Sequence, residues 1–126
     1  MVVESPEGVL LVRRPEDDER LPGEWGLPAV TLAAGESEED GVRRAGRDKL
    51  GVELRPLRSI GADATMTDWE AELVDGEPAV PQPGAHTQYA ELRWAEPSEL
   101  VPAARRGSLC SRVLLRARGL DWGGAA

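Results

Sequence analysis

The chain has no phenylalanine, one tyrosine, one histidine and one cysteine among its 126 residues. With Cys110 alone, no internal disulfide can form, and a reducing compartment suits the sequence. No long apolar run and no secretory-type leader is visible, so no membrane span or membrane partner is predicted and the expected location is cytoplasmic. Positive charge is outweighed: Lys and Arg number 15 against 23 Asp and Glu, for a formal net charge of −8. Surfaces that bind nucleic acid are basic, so this balance argues against RNA or DNA as partner. It leaves room for a small phosphorylated ligand at one local basic patch, and it is compatible with a homodimer. Internal repeats, a P-loop and zinc-ligand spacing are all missing.

What is present is organised around residues 25–52, WGLPAVTLAAGESEEDGVRRAGRDKLGV. A short apolar strand runs into a glycine-containing loop and then into a bracketed helix. Ser37 is a good N-cap, and Asp40 three residues on can reach back toward its amide. Gly51 stands where a residue of positive φ is wanted after Leu50. The predicted helix is therefore 38–50, burying Val42 and Leu50. Gly46 lies between them, at a cost of about 1 kcal/mol relative to alanine. Something bulky, such as a tryptophan, or a second backbone is expected to fill the space it leaves.

The remaining segments alternate strands with turns. Val2 and Val3 begin a strand, residues 4–8 turn, and Val9 to Val12 form a buried strand closed by Arg13 and Arg14. Residues 15–24 are an acidic, Pro- and Gly-punctuated loop. Residues 52–62 and 65–75 read as strands, the first interrupted near Pro56 and the second closed by Asp75-Gly76. A proline-rich loop spans 78–85, followed by a strand in TQYAELRWA. Pro97 opens a helix ending at Gly107, and Ser108 caps a second one. Cys110 on that helix reads as a small hydrophobe and not as a nucleophile. The chain is long enough for one core, so a single domain over 1–126 is expected.

At residues 30–52 the chain resembles the Nudix hydrolase family, whose signature is G-x5-E-x7-R-E-U-x-E-E-x-G-U, with U a bulky aliphatic residue. Glu36, Arg44, Gly51 and Val52 match it, as does the Gly35-Glu36-Ser37 turn. The flanks agree: GVLLVRR (8–14), WGLP (25–28) and RWAEPSEL (93–100) are similar to the family's lead-in and late segments. The resemblance implies an α/β fold, a mixed β-sheet sandwiched between α-helices. It implies hydrolysis of a nucleoside diphosphate linked to another moiety, by metal-assisted attack of water on a pyrophosphate bond. Mg2+ or Mn2+ would be the cofactor.

Within the signature, Val30 replaces the opening glycine. The three glutamates that carry cations in the family are Ala45, Asp48 and Lys49 here. Positions spaced i, i+3 and i+4 share a helix face, so 45, 48 and 49 are expected to form one patch. Hard cations are held by carboxylates. Asp48 is thus the candidate catalytic and metal residue, with Glu39 and Asp40 as further metal ligands. Glu36 and Arg44 are the implied box-orienting pair, and Glu91 is the candidate ligand or base outside the box. Arg13, Lys49 and Tyr89 are candidate substrate contacts, along with His86 and Gln88, and the Lys49 ammonium can meet a phosphate as a point charge. The alternative is a Nudix-fold module that binds a nucleotide without cleaving it. An acidic domain using the fold as scaffold is a third option.

Overall fold

The run Val9-Leu10-Leu11-Val12 has no polar residue, as expected of a strand covered on both faces. In the computed structural model, which describes residues 1–18, 21–63, 66–80 and 89–123, this run lies inside β2 (Gly8–Arg13). A tight turn joins β2 to the antiparallel β1 (Val2–Ser5) with Glu4 opposite Val9. On its other side β2 pairs with β6 (Glu91–Ala95), Arg13 standing opposite Glu91. The two-residue β3 (Trp25–Gly26) extends the ladder at the end of β2. β1 also pairs in parallel with β5 (Met66–Asp75), and β5 pairs antiparallel with β4 (Glu53–Asp63). The sheet is therefore mixed. The expected break near Pro56 is a register shift between Pro56 and Arg58, which lets proline sit in the strand without leaving a ladder partner unpaired.

Strand alternation splits the core into two layers. Met1, Val3, Leu10 and Val12 join Val42, Ala45, Leu50, Val52 and Leu54 on one face. Val2, Val9 and Leu11 join Leu27, Leu100, Ala104, Leu114 and Leu115 on the other. The first layer is covered by α1 (Glu38–Ala45) and the second by α2 (Val101–Arg105) and α3 (Leu109–Ala117). A 3-10 turn over Pro97–Leu100 leads into α2. Helices thus cover both faces of a mixed sheet, the predicted α/β sandwich.

The central helix begins as expected, with the Ser37 side chain accepting from the Asp40 amide at 3.1 Å. Asp40 does not complete the reciprocal contact; its carboxylate accepts from the oppositely charged Arg43 at 3.0 Å. The helical path does run to Leu50, but Gly46–Leu50 is a wide π-helical turn closed by Gly51 at φ 69°. Gly46 is filled in by Leu54, not by a tryptophan: a Cβ there would stand 2.7 Å from Leu54 Cγ and 3.1 Å from the Val52 carbonyl. The helix therefore docks on β4 more closely than any other residue at 46 allows.

The π turn also rearranges the expected patch. Ala45 is fully buried in the first core layer, whereas Asp48 is exposed and Lys49 half-buried. Positions 45, 48 and 49 do not share one solvent-facing surface, because the i, i+3, i+4 rule holds only for a regular α-helix.

Candidate functional site

The loop between β3 and α1 is tied down residue by residue. Arg44 reaches back from α1 and donates from Nε and Nη2 to the two carboxylate oxygens of Glu36, both at 2.8 Å. The same Nη2 donates to the Thr31 carbonyl at 2.9 Å. Glu36 also accepts from the Ala33 amide at 3.0 Å. This two-pronged pairing suits the planar guanidinium. Arg44 hydrogen bonds first, and the Ala33 amide next, hold the Glu36 carboxyl at about 2, down from 4.5.

That shift fixes a pH dependence. A carboxyl more acidic in the folded state stabilises the fold above its unfolded value. The contribution is complete above 4.5 and is lost as pH falls from 4.5 toward about 2. Wild-type stability should therefore drop more steeply across this window than that of Glu36→Gln, as read by urea midpoints at about pH 5 and about pH 3.

Ala29 is the second anchor of the loop. Its carbonyl accepts from Lys49 Nζ at 2.6 Å and from the Tyr89 hydroxyl at 3.2 Å. Its amide donates to the same hydroxyl at 2.9 Å. The ammonium lies 5.5 Å from the Tyr89 ring centroid. Burial, then the charges of Arg44 and Arg14, push the Lys49 ammonium below the ordinary lysine range. Burial pushes Tyr89 up. Both shifts report one locale, where Lys49 is partly desolvated and two arginines stand near enough to repel it. Just before Ala29, the Pro28 carbonyl accepts from the Met1 amino group at 2.7 Å, and that amino group lies 3.1 Å from buried Asp68.

Beyond Ala29 opens a pocket of about 500 Å³ lined by Val30, Leu32, Glu38, Met66, Thr67 and Trp69, among others. The Trp69 indole N–H donates to Glu38 at 2.9 Å, which sets the ring at the wall. Sequence reasoning treated Trp69 as one more strand residue. Its pairing with a carboxylate 31 positions away has no local signal.

The candidate site residues fall into two groups. Arg44, Glu36, Lys49 and Tyr89 converge on the loop 29–36, by the contacts given above. Arg13 and Glu91 instead pair with each other across β2 and β6 at 2.9 Å, with Glu16 3.5 Å from Arg13. It is Arg14, the other member of the pair at the end of β2, whose charge acts on Lys49. His86 and Gln88 lie outside the described residues.

The carboxylates of the described residues do not gather around a seat for a divalent ion. Among the described residues, no three His, Cys, Asp or Glu side chains gather into a group that could hold one. The expected ligands Asp48, Glu39 and Asp40 sit at opposite ends of the helical segment, about 12 Å apart by helical rise, and form no cluster among the described residues. Glu36 is engaged by Arg44, Asp40 by Arg43 and Glu91 by Arg13.

A mixed sheet between helices, with an arginine–glutamate brace fixing the loop before its central helix, defines a Nudix-type domain. The family model for the NUDIX domain matches residues 1–116, and the chain belongs to the Nudix family. The NAD-capped RNA hydrolase NudC of Pseudomonas aeruginosa is 30% identical over 120 residues, which cover 90% of this chain and 41% of that protein. The chain thus spans less than half the length of that relative. A NUDIX hydrolase from Nitrosomonas europaea superposes with a TM-score of 0.70 at 17% identity, over 94% of this chain and 84% of that one. An ADP-ribose pyrophosphatase from Streptococcus suis gives 0.66 at 17% identity, over 94% and 86%. At such identities the two structures bear on the fold alone. Among the described residues, no helix is long and apolar enough to cross a membrane.

Proposed function

We propose that this domain binds a nucleoside diphosphate linked to a second group and that metal-assisted hydrolysis is lost or vestigial. The observation that carries this reading is the Lys49 ammonium on the Ala29 carbonyl, with Arg44 and Arg14 close enough to depress its pKa. The Lys49 ammonium attracts phosphate oxygens in a chain otherwise dominated by negative charge, whereas Arg44 and Arg14 are paired with Glu36 and Asp18. The pocket beside Ala29 is large enough for a base or a sugar, with the Trp69 ring as a stacking wall. A net charge of −8 supports a small ligand in place of a nucleic-acid strand.

The hydrolase reading has one observation of its own in Asp48. Its carboxylate is exposed on the turn that carries Lys49, close enough to act electrostatically on Arg44. On that reading Asp48→Ala abolishes turnover. Calorimetric titration of ADP-ribose, a nucleotide sugar and NAD, with phosphorus NMR of each mixture after overnight incubation with Mg2+ or Mn2+, separates the two. Binding with intact ligand is the expected result. Catalytic release of a phosphate-containing product, sensitive to Asp48→Ala, would restore the hydrolase.

A further inference from the structure

Lys49 is the only lysine of the chain, and it is placed where three structural facts coincide. It stands on the π turn that ends the central helix. Its Nζ is seated on a backbone carbonyl of the site loop, 2.6 Å away. The carbonyl it occupies is also bonded to Tyr89, whose hydroxyl takes the Ala29 amide in return. Ala29 is thereby held rigidly with its oxygen turned toward a positive charge. A main-chain carbonyl is a hard oxygen donor, the kind that a cation satisfies. The chain supplies that cation from its own side chain.

An ammonium has three N–H donors. Among the described residues, one is spent on Ala29 and no hydrogen bond takes the other two. The ammonium is half-buried and seated on an uncharged carbonyl, so among the described residues its charge lacks a counterion there. An anion set against it supplies one. Phosphate is such an anion, and it needs the donors that Ala29 leaves unused.

We infer that the Lys49 ammonium is the resident cation of this site: seated on the Ala29 carbonyl, it meets the ligand's pyrophosphate itself and makes recognition independent of metal. The inference deepens the proposed function and rests on it. It also separates position 49 from position 48. A carboxylate at 49 would present the same seat with the opposite charge, and would then have to recruit an ion from solution.

The test uses the intact chain with ADP-ribose and with inorganic pyrophosphate as probes, each titrated in EDTA and in Mg2+ or Mn2+. Wild type is expected to bind equally in both conditions. Lys49→Gln removes the charge, so it should weaken binding at least about tenfold, with no recovery in metal. Lys49→Glu should lose binding in EDTA and regain it in Mn2+, because the new carboxylate and the Ala29 carbonyl together hold the ion. Circular dichroism melting of each variant checks that the fold survives. Wild-type binding that disappears in EDTA overturns the resident cation while leaving the nucleotide-binding function standing. Lys49→Glu behaving like wild type, or failing to recover in Mn2+, overturns it too. Absence of binding to either probe under every condition overturns the proposed function itself.

Discussion

Ala45→Glu, which puts back the residue the family carries at that point of its signature, should destabilise the domain by about 2–4 kcal/mol at neutral pH. Ala45 is fully buried and packs in the layer containing Val42, Leu50, Val52 and Leu54. A longer side chain there must push those neighbours apart, and overpacking alone costs roughly 1–3 kcal/mol. It must also leave a carboxylate in an apolar layer. The nearest guanidinium in sequence, Arg44, is already committed to Glu36 and Thr31. Burial would raise the pKa of the new carboxyl, so the penalty is smallest in acid and grows as pH climbs above the usual carboxylate range. Urea midpoints at about pH 4.5 and about pH 7.5 measure both the size and this slope. A loss below about 1 kcal/mol, accompanied by new Mn2+ binding, would place position 45 on the cleft and contradict the packing described.

Arg44→Lys should weaken binding of ADP-ribose at least about tenfold although the positive charge is kept. Arg44 makes three hydrogen bonds at once, two to Glu36 and one to the Thr31 carbonyl. A lysine ammonium has no planar fork to span them. Without the brace, the loop loses its tie to α1 at Thr31 and Glu36, beside the Ala29 carbonyl that seats Lys49. Arg44 acts here through the loop, as a positioning residue. Arg44→Gln should behave like Arg44→Lys, since geometry and not charge is what fails. Undiminished binding by Arg44→Lys, measured by the same calorimetric titration, would show that the loop holds its shape unaided.

Much of the framework was legible because it is written in local chemistry. Ser37 and Gly51 mark the ends of the central segment by side-chain capping and by positive φ, and both act as expected. The Glu36–Arg44 brace follows from the family spacing, and the structure contains it. Strand β2 is unmistakable because all four of its inner residues are aliphatic.

The rest depends on contacts between distant residues. Nothing in the 3.6-residue periodicity of 38–50 announces the π turn. It forms where Gly46 lets the Leu54 side chain and the Val52 carbonyl approach the helix. The expected patch does not form: 45 is buried on the regular helix beside Val42, and 48 is exposed on the wide turn. Lys49 was recognisable as an unusual residue, but its partner is a backbone carbonyl 20 positions away, and backbone carbonyls carry no sequence signal. The carboxylates at 36, 40 and 91 each look available in sequence. Each is claimed by an arginine in space.

The seat of Lys49 can be observed without any other lysine interfering, because the chain contains just one. Protein labelled with carbon-13 at the lysine Cε position gives one Lys49 resonance. Inorganic pyrophosphate in EDTA should shift it, and micromolar Mn2+ added without ligand should leave it sharp, since broadening at such low concentration needs an ion bound nearby. Broadening of that resonance by micromolar Mn2+, or indifference to pyrophosphate, would contradict the claim that an ammonium of the chain itself serves as the cation of the site.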